Sequence, residues 1–397
     1  MYLVRDYPTP SDRMGLLWAL SGIQDLIIVE FGPEGTTRYM LEALKQFGHE
    51  ARATLYTTTM DEDVVIFGNA DRLIKVLQEV DQRHKPEAII VMDSSVASVI
   101  GMDMDGICKE AQNKIAAKLL VVKGGGLGKS WSQGIVAGLS LLADLTESDV
   151  VVENGYNLIG CCADEYNHLS EATIIEELMK KLFGMELFCN LPGSTTMGEC
   201  KQLGKARLNI VIRSEGCQLA EWLFQKHQTP YVYLRPYGLA GTKKWAAEIT
   251  RITGLPANYA AFADELAQLE EQINKICRTT IIPESEQKTV VLSGLEDPMI
   301  GLSRFIMDEL KLPTVCFKNS WCNKSDRLKL TIAPLNLNPT DGANYFVMAD
   351  GLSVRTIDND DCLQITHPII DQLAIRQPGL MGFSGALFLI NKLNQTK

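Results

Sequence analysis

The sequence predicts an α/β fold of three Rossmann-like domains, with parallel sheets flanked by helices. Short runs rich in Ile and Val recur along the chain: IIVE at 27–30, AIIVM at 88–92, LNIVIR at 208–213 and VVLS at 290–293. Each is followed by a turn of Gly, Ser, Thr or Asp, and then by a helical pattern of apolar residues. Near-continuously apolar strands of this kind belong in parallel sheets covered by helices.

The first unit, residues 1–148, opens with a short apolar helix or loop at Gly15–Leu20. The strand Ile27–Glu30 leads through Gly32, Pro33, Gly35 and Thr36 into a helix at Tyr39–Phe47. In open α/β sheets, ligands sit beyond the carboxyl end of such a strand. Ala53–Thr58 reads as a strand, Asp61-Glu62-Asp63 as a helix start or loop, and Ala70–Val80 as an amphipathic helix. The strand Ala88–Met92 runs into a turn at Asp93–Ser98. A helix at Asp105–Lys114, a strand at Lys118–Val122, a glycine-rich turn and a helix at Gly134–Asp144 complete the unit.

The second unit, residues 149–284, has strands at Tyr156–Ile159, Glu186–Asn190, Leu208–Arg213 and Tyr231–Leu234. Its helices are expected at Glu171–Phe183, Gly198–Leu203, Gln218–Lys226, Thr242–Thr253 and Asn258–Ile276. The run Pro283-Glu284-Ser285-Glu286 is a linker. The third unit, residues 285–397, continues with strands at Lys288–Ser293, Thr314–Lys318 and Asn344–Met348 and a helix at Pro298–Leu310. Helix signals return at Pro368–Ile375 and Gly385–Leu393.

Of the 397 residues, 46% are hydrophobic and 22% charged, a globular balance. The net charge of −11 argues against a general nucleic-acid binder, which needs a basic surface to neutralise phosphates. The first 13 residues contain no apolar signal-peptide core. The longest apolar run, Gly134–Leu145, falls short of the ~20 residues of a membrane span. A cytoplasmic protein that does not cross a membrane is expected. Its ten cysteines are scattered, with no CxxC and no zinc-type Cys/His spacing, as for reduced and mostly buried thiols.

Motifs narrow the chemistry. Gly124-Gly125-Gly126-Leu127-Gly128-Lys129-Ser130 follows a strand, but position 123, where a phosphate-binding loop would need its first glycine, is lysine. The turn still permits close approach of backbone to a ligand or partner. Gly193–Glu199 reads as a capped helix start, with Glu199 in the first turn. No two of the five histidines stand at metal spacing, and no GxSxG or HExxH occurs. Cys217 opens a helix, where the dipole favours a thiolate, and is the cysteine picked as reactive or metal-bound.

Taken in order, several segments resemble the nitrogenase component 1 family: the molybdenum–iron protein subunits, their cofactor-assembly scaffold and the dark-operative protochlorophyllide reductase subunits. Phe31-Gly32-Pro33-Glu34-Gly35-Thr36 is similar to the family's HGPxGC, and SVASVIGMD at 95–103 to its CxxxxIGDD. DEDVVIFGNADRL at 61–73, Gly125–Gly134, YNLIG at 156–160, Gly193–Glu199, Pro230–Gly241 and GLMGFSGA at 379–386 also fit. The resemblance implies an oligomer, an ATP-driven iron–sulfur reductase as electron donor, and an iron–sulfur cluster or other metallocofactor held by cysteines at a subunit interface. This chain departs there. Thr36 and Ser95 stand at two cysteine positions, and the cysteine expected near Pro10–Asp12 is also absent. Hydroxyls are harder and far less acidic than thiols, and iron–sulfur clusters require thiolate. The cysteine and histidine that hold the family's active-site cofactor fall at Ala220 and Met381, with Cys217 one helical turn before Ala220.

The residues expected nearest a bound group are therefore Gly32, Gly35, Thr36, Ser95, Gly125 and Gly126, with Cys217 and Met381 in the later units. The main expectation is an oxidoreductase subunit that works with a cluster-bearing paralogue. A metallocofactor carrier or assembly scaffold is the first alternative. A nucleotide-sugar transferase or small-ligand binder on the same architecture is the second.

Overall fold

The computed structural model describes residues 9–46, 51–123, 125–147, 152–279, 288–317, 332–333, 344–351, 353–354, 361–367 and 378–395. Three parallel sheets carry the fold. The first runs in the order Thr54–Thr57, Ile27–Phe31, Ala88–Asp93, Lys118–Val122. Its two central strands are buried along their whole length, as their apolar runs require. The second sheet runs Tyr231–Tyr233, Ala206–Val211, Val152–Ile159, Glu186–Leu191. The third runs Ile332–Ala333, Thr314–Phe317, Thr289–Ser293, Tyr345–Asp350, Cys362–Thr366. Ile23–Gln24 of the first unit also pairs in parallel with Thr195–Thr196 of the second.

The units share their cores. Leu17, Ile28 and Ile90 of the first pack in one cluster with Ile159, Leu191 and Leu219 of the second. Tyr156, Trp245 and Ile249 of the second pack with Val290, Phe346 and Phe383. The helix Asp12–Leu20 crosses Trp131–Ala143 at glycine contacts. A Cβ on Gly15 would lie 1.8 Å from the Trp131 carbonyl oxygen, and one on Gly134 1.9 Å from that of Asp12.

Several elements differ from the sequence expectation. The helix placed at Tyr39–Phe47 begins at Glu34, so Gly35 and Thr36 lie in its first turn rather than before it. The turn at Asp93–Ser98 is shorter, because the Ser94 hydroxyl accepts the Ala97 N–H at 3.1 Å and starts the helix Ser95–Val99. Asn258–Ile276 divides into a 3-10 turn, Tyr259–Phe262, and the helix Ala263–Thr279. The helix placed at Pro298–Leu310 is Glu296–Arg304 followed by a π-helical turn, Phe305–Glu309. That turn brings Glu309 Oε2 to the N–H groups of Leu239 and Ala240, at 2.9 and 3.0 Å. The carboxylate thereby satisfies two donors at the start of the helix Gly238–Thr253. The signal at Pro368–Ile375 lies outside the described residues.

Candidate functional site

The turns beyond the first sheet pack onto one another. Gly32 sits against Ser94, where a Cβ would come within 2.6 Å of the serine Cβ, and its N–H donates to Thr58 Oγ1 at 3.2 Å. Gly125 has φ 53°, and an added Cβ would meet Ser98 Oγ at 2.2 Å. Its N–H donates to Asp93 Oδ1 at 2.9 Å, while Ser98 donates to Asp93 Oδ2 at 2.5 Å. A nucleotide phosphate approaching this N–H would meet a carboxylate. Gly126, φ 79°, rests against Ser11 and Arg13.

Gly32, Gly125, Gly126 and the short helix carrying Ser95 are thus brought together at one sheet edge. Thr36 lies in the helix that leaves the same edge, and its hydroxyl donates to the Pro33 carbonyl at 2.9 Å. Around Gly35, by contrast, an added Cβ would find open space.

Beneath these turns lies a polar network that the sequence reading did not identify. Glu30, fully buried within the central strand, pairs with Arg13 and accepts a hydrogen bond from Thr37. Burial weakens the hold of Arg13 on its proton, opposed by Asp93 and Asp12. Burial also raises the carboxyl of Asp12. A cavity of about 120 Å³ beside them is lined by Arg13, Asp93, Lys123, Gly125, Lys129 and Gln133. The only signal was a single acid in an otherwise apolar strand.

These residues do not fit an iron–sulfur cluster. Hydroxyls hold the two cysteine positions, and one of them is engaged by backbone. Among the described residues no group of three His, Cys, Asp or Glu could hold a metal ion. Cys217 begins the helix Cys217–His227, half-buried, far in sequence from these turns and packed beside the core cluster that contains Ala220. Met381 is fully buried in the other large cluster, with Tyr156 and Phe383. The positions of Ala220 and Met381 therefore fall in separate cores.

A second polar cluster lies where the second and third sheets meet. Arg213, 2% exposed, donates to both oxygens of Asp164 at 2.6 and 3.0 Å and to Glu215 at 3.0 Å. Arg235 donates to Glu165 at 2.5 Å. Burial opposes the charge on Arg213, but Asp164, Glu215 and Glu165 outweigh it and hold the guanidinium protonated. Burial also pushes Glu215 up, yet Arg213 and Ser132 pull it down to about 2. Glu171 accepts the N–H groups of Leu380 and Met381 at 2.8 and 3.0 Å. Burial raises its carboxyl to about 7. His367, buried nearby, is pushed down to about 3 by burial and by His168. These acids and bases come from chain positions between 164 and 367, and only the fold assembles them.

Comparison with known proteins bears on this architecture. The family model described as nitrogenase component 1 type oxidoreductase matches residues 11–396. The chain is 29% identical over 242 residues to the nitrogenase iron-molybdenum cofactor biosynthesis protein NifE of Clostridium pasteurianum, covering 59% of this chain and 52% of that protein. It is 24% identical to NifE of Rhizobium meliloti (strain 1021), covering 71% and 60%. The chain spans about half the length of the curated relatives it matches. The solved structure "Nitrogenase Cp1 at pH 6.5" superposes with a TM-score of 0.76 at 16% identity, over 100% of this chain and 94% of that one, a likeness of fold. No helix among the described residues is long and apolar enough to cross a membrane. With its family match spanning nearly every residue, this chain belongs to the nitrogenase component 1 type oxidoreductase family.

Proposed function

We propose that this chain is a non-catalytic component 1-type subunit, serving as a partner or scaffold in metallocofactor assembly beside a cysteine-bearing paralogue. One observation carries the reading: the turns that would hold a cluster are kept, while their ligand positions carry the hydroxyls of Thr36 and Ser95, the first of them hydrogen-bonded to the Pro33 carbonyl. The names of the NifE relatives favour assembly over catalysis. The same edge offers a surface for a partner. Tyr39, Ile66, Phe67 and Val99 are 81, 70, 77 and 72% exposed, and Leu127 is 54% exposed. All five lie on the helices and turns that follow the strands of the first sheet. Large apolar side chains gathered on one edge mark a contact surface. An ATP-driven iron–sulfur reductase would then act on the paired complex rather than on this chain alone.

Anaerobic co-expression with a cysteine-bearing paralogue tests the proposal. The expected result is a stable complex that carries cluster iron, and an isolated chain that carries none in stoichiometric amount. Replacing Ile66 and Phe67 by aspartate should abolish the complex, with the far-ultraviolet circular dichroism of the chain unchanged. Stoichiometric cluster iron in the isolated chain, or a complex indifferent to the double substitution, would overturn it.

A further inference from the structure

The buried charges between the second and third sheets do not balance. Four carboxyls, Asp164, Glu165, Glu171 and Glu215, are 1, 7, 6 and 8% exposed, and they face two guanidinium groups, Arg213 and Arg235. Arg213 is taken by Asp164 and Glu215. Arg235 is shared between Glu165 and the Ile212 carbonyl. The hydrogen bonds of Glu171 come from two backbone N–H groups and bring no positive charge. A buried carboxylate without a counter-charge is costly, and an added cation would relieve it.

Glu165 and Glu171 line the same cavity, of about 30 Å³, at the carboxyl ends of strands from both sheets. Ligands of open α/β sheets sit at such strand ends. Gln364, 5% exposed, also lines it, and its Oε1 has no hydrogen-bond partner among the described residues. The Thr366 hydroxyl, equally buried, is another lining group without a partner among those residues. Leu302 and Leu380 supply apolar walls. The space admits a ligand of only a few heavy atoms. The donor set does not suit a metal ion, since among the described residues no group of three His, Cys, Asp or Glu is placed to hold one.

We propose that this cavity binds a small organic cation carrying N–H donors, held by Glu165, Glu171 and the Gln364 amide oxygen. The ion would supply the missing positive charge and donate to acceptors that the chain leaves open. Arg235 also lines the cavity, but its guanidinium is committed to Glu165 and the Ile212 carbonyl, and an anion of the same size would have to lie against Glu165 and Glu171. The inference goes beyond the partner-subunit reading and stands apart from it, because it concerns the isolated chain and a different face.

Acetamidinium, acetamide and acetate share one heavy-atom skeleton and differ in charge, so they separate the alternatives. Calorimetric titration of the full chain at neutral pH should show saturable binding of one acetamidinium. Acetamide should bind about tenfold more weakly or worse, since charge-assisted hydrogen bonds are roughly twice as strong as neutral ones. Acetate should not bind. Glu171→Gln should weaken acetamidinium about tenfold. Gln364→Leu, which removes one amide and leaves every ion pair in place, should also weaken it and guards against misfolding of the first variant. Absence of saturable acetamidinium binding, equal affinity for acetamide, preferred binding of acetate, or full affinity in Gln364→Leu would each overturn the proposal.

Discussion

At the scale of residues, Glu171 shows how burial is written into the response to pH. Its folded carboxyl titrates at about 7, against 4.5 for the ordinary side chain, chiefly because burial penalises the charge. A raised carboxyl binds more protons folded than unfolded across that interval. Its stabilising contribution is therefore complete below 4.5 and is lost as pH rises through 7. The shift corresponds to about 3 kcal/mol. Replacing Glu171 by glutamine removes the titration and leaves a pH-independent packing cost. The stability gap between the natural chain and this variant should accordingly move by about 3 kcal/mol between acidic and mildly alkaline solution, the natural chain losing ground as pH rises. Urea unfolding at both ends of the range measures it, and a constant gap would contradict the assignment. The ion pairs of Arg213 differ in kind from those on the surface. Lys181 and Glu177 also meet at 2.6 Å, yet both are more than 40% exposed, and such pairs are worth under about 1 kcal/mol. None of this was legible in the sequence, because burial decides the energetics and the partners are far apart along the chain.

Elements were legible where local pattern and fold agree. The two central, largely apolar strands of the first sheet lie where their composition places them, and Thr196 caps the helix Met197–Lys201 in the reciprocal arrangement with Glu199 that the motif implied. Where a contact from elsewhere sets the boundary, the pattern misled. Gly35 and two threonines read as a turn because they are weak helix formers, but the first turn of a helix tolerates them. The π-helical turn at Phe305–Glu309 is set by Glu309 meeting another helix, which no local periodicity encodes. The two crossing glycines are a further case. Gly134 was read as a helix start; it lies within the helix Trp131–Ala143, and what requires glycine there is the carbonyl of Asp12. Gly134→Ala should push the two helices apart. A loss of about 1–3 kcal/mol is expected, as for other overpacked cores. Thermal unfolding measures this, and an unchanged midpoint would mean that the helices yield freely.

The whole molecule shows that three sheets do not amount to three independent bodies. The helix Gly382–Gln395 follows the strands of the third sheet in the chain, yet packs against Gly238–Thr253, Ala263–Thr279 and His168–Phe183 of the second unit. Phe383 meets Phe262 edge-on at 5.4 Å, and Ala386, Leu389 and Ile390 are buried in the same cluster as Trp245. The linker expected at Pro283–Glu286 lies outside the described residues; Ile276 before it and Val290 after it belong to one buried cluster. Burying side chains of this size contributes about 1.5–3 kcal/mol each, so the returning helix is a major part of the second unit's stability. A chain truncated before Gly382 should therefore lose more than its last helix. Near-ultraviolet circular dichroism should fall, since Trp245 and Phe262 lose their covering, and cooperative unfolding of the second unit should broaden or vanish. If the truncated chain instead unfolds in one sharp transition at the original midpoint, the second unit stands on its own core and the helix only decorates it. The shared clusters favour the first outcome: Trp245 and Phe383 are both buried, and each is covered in part by the other's unit.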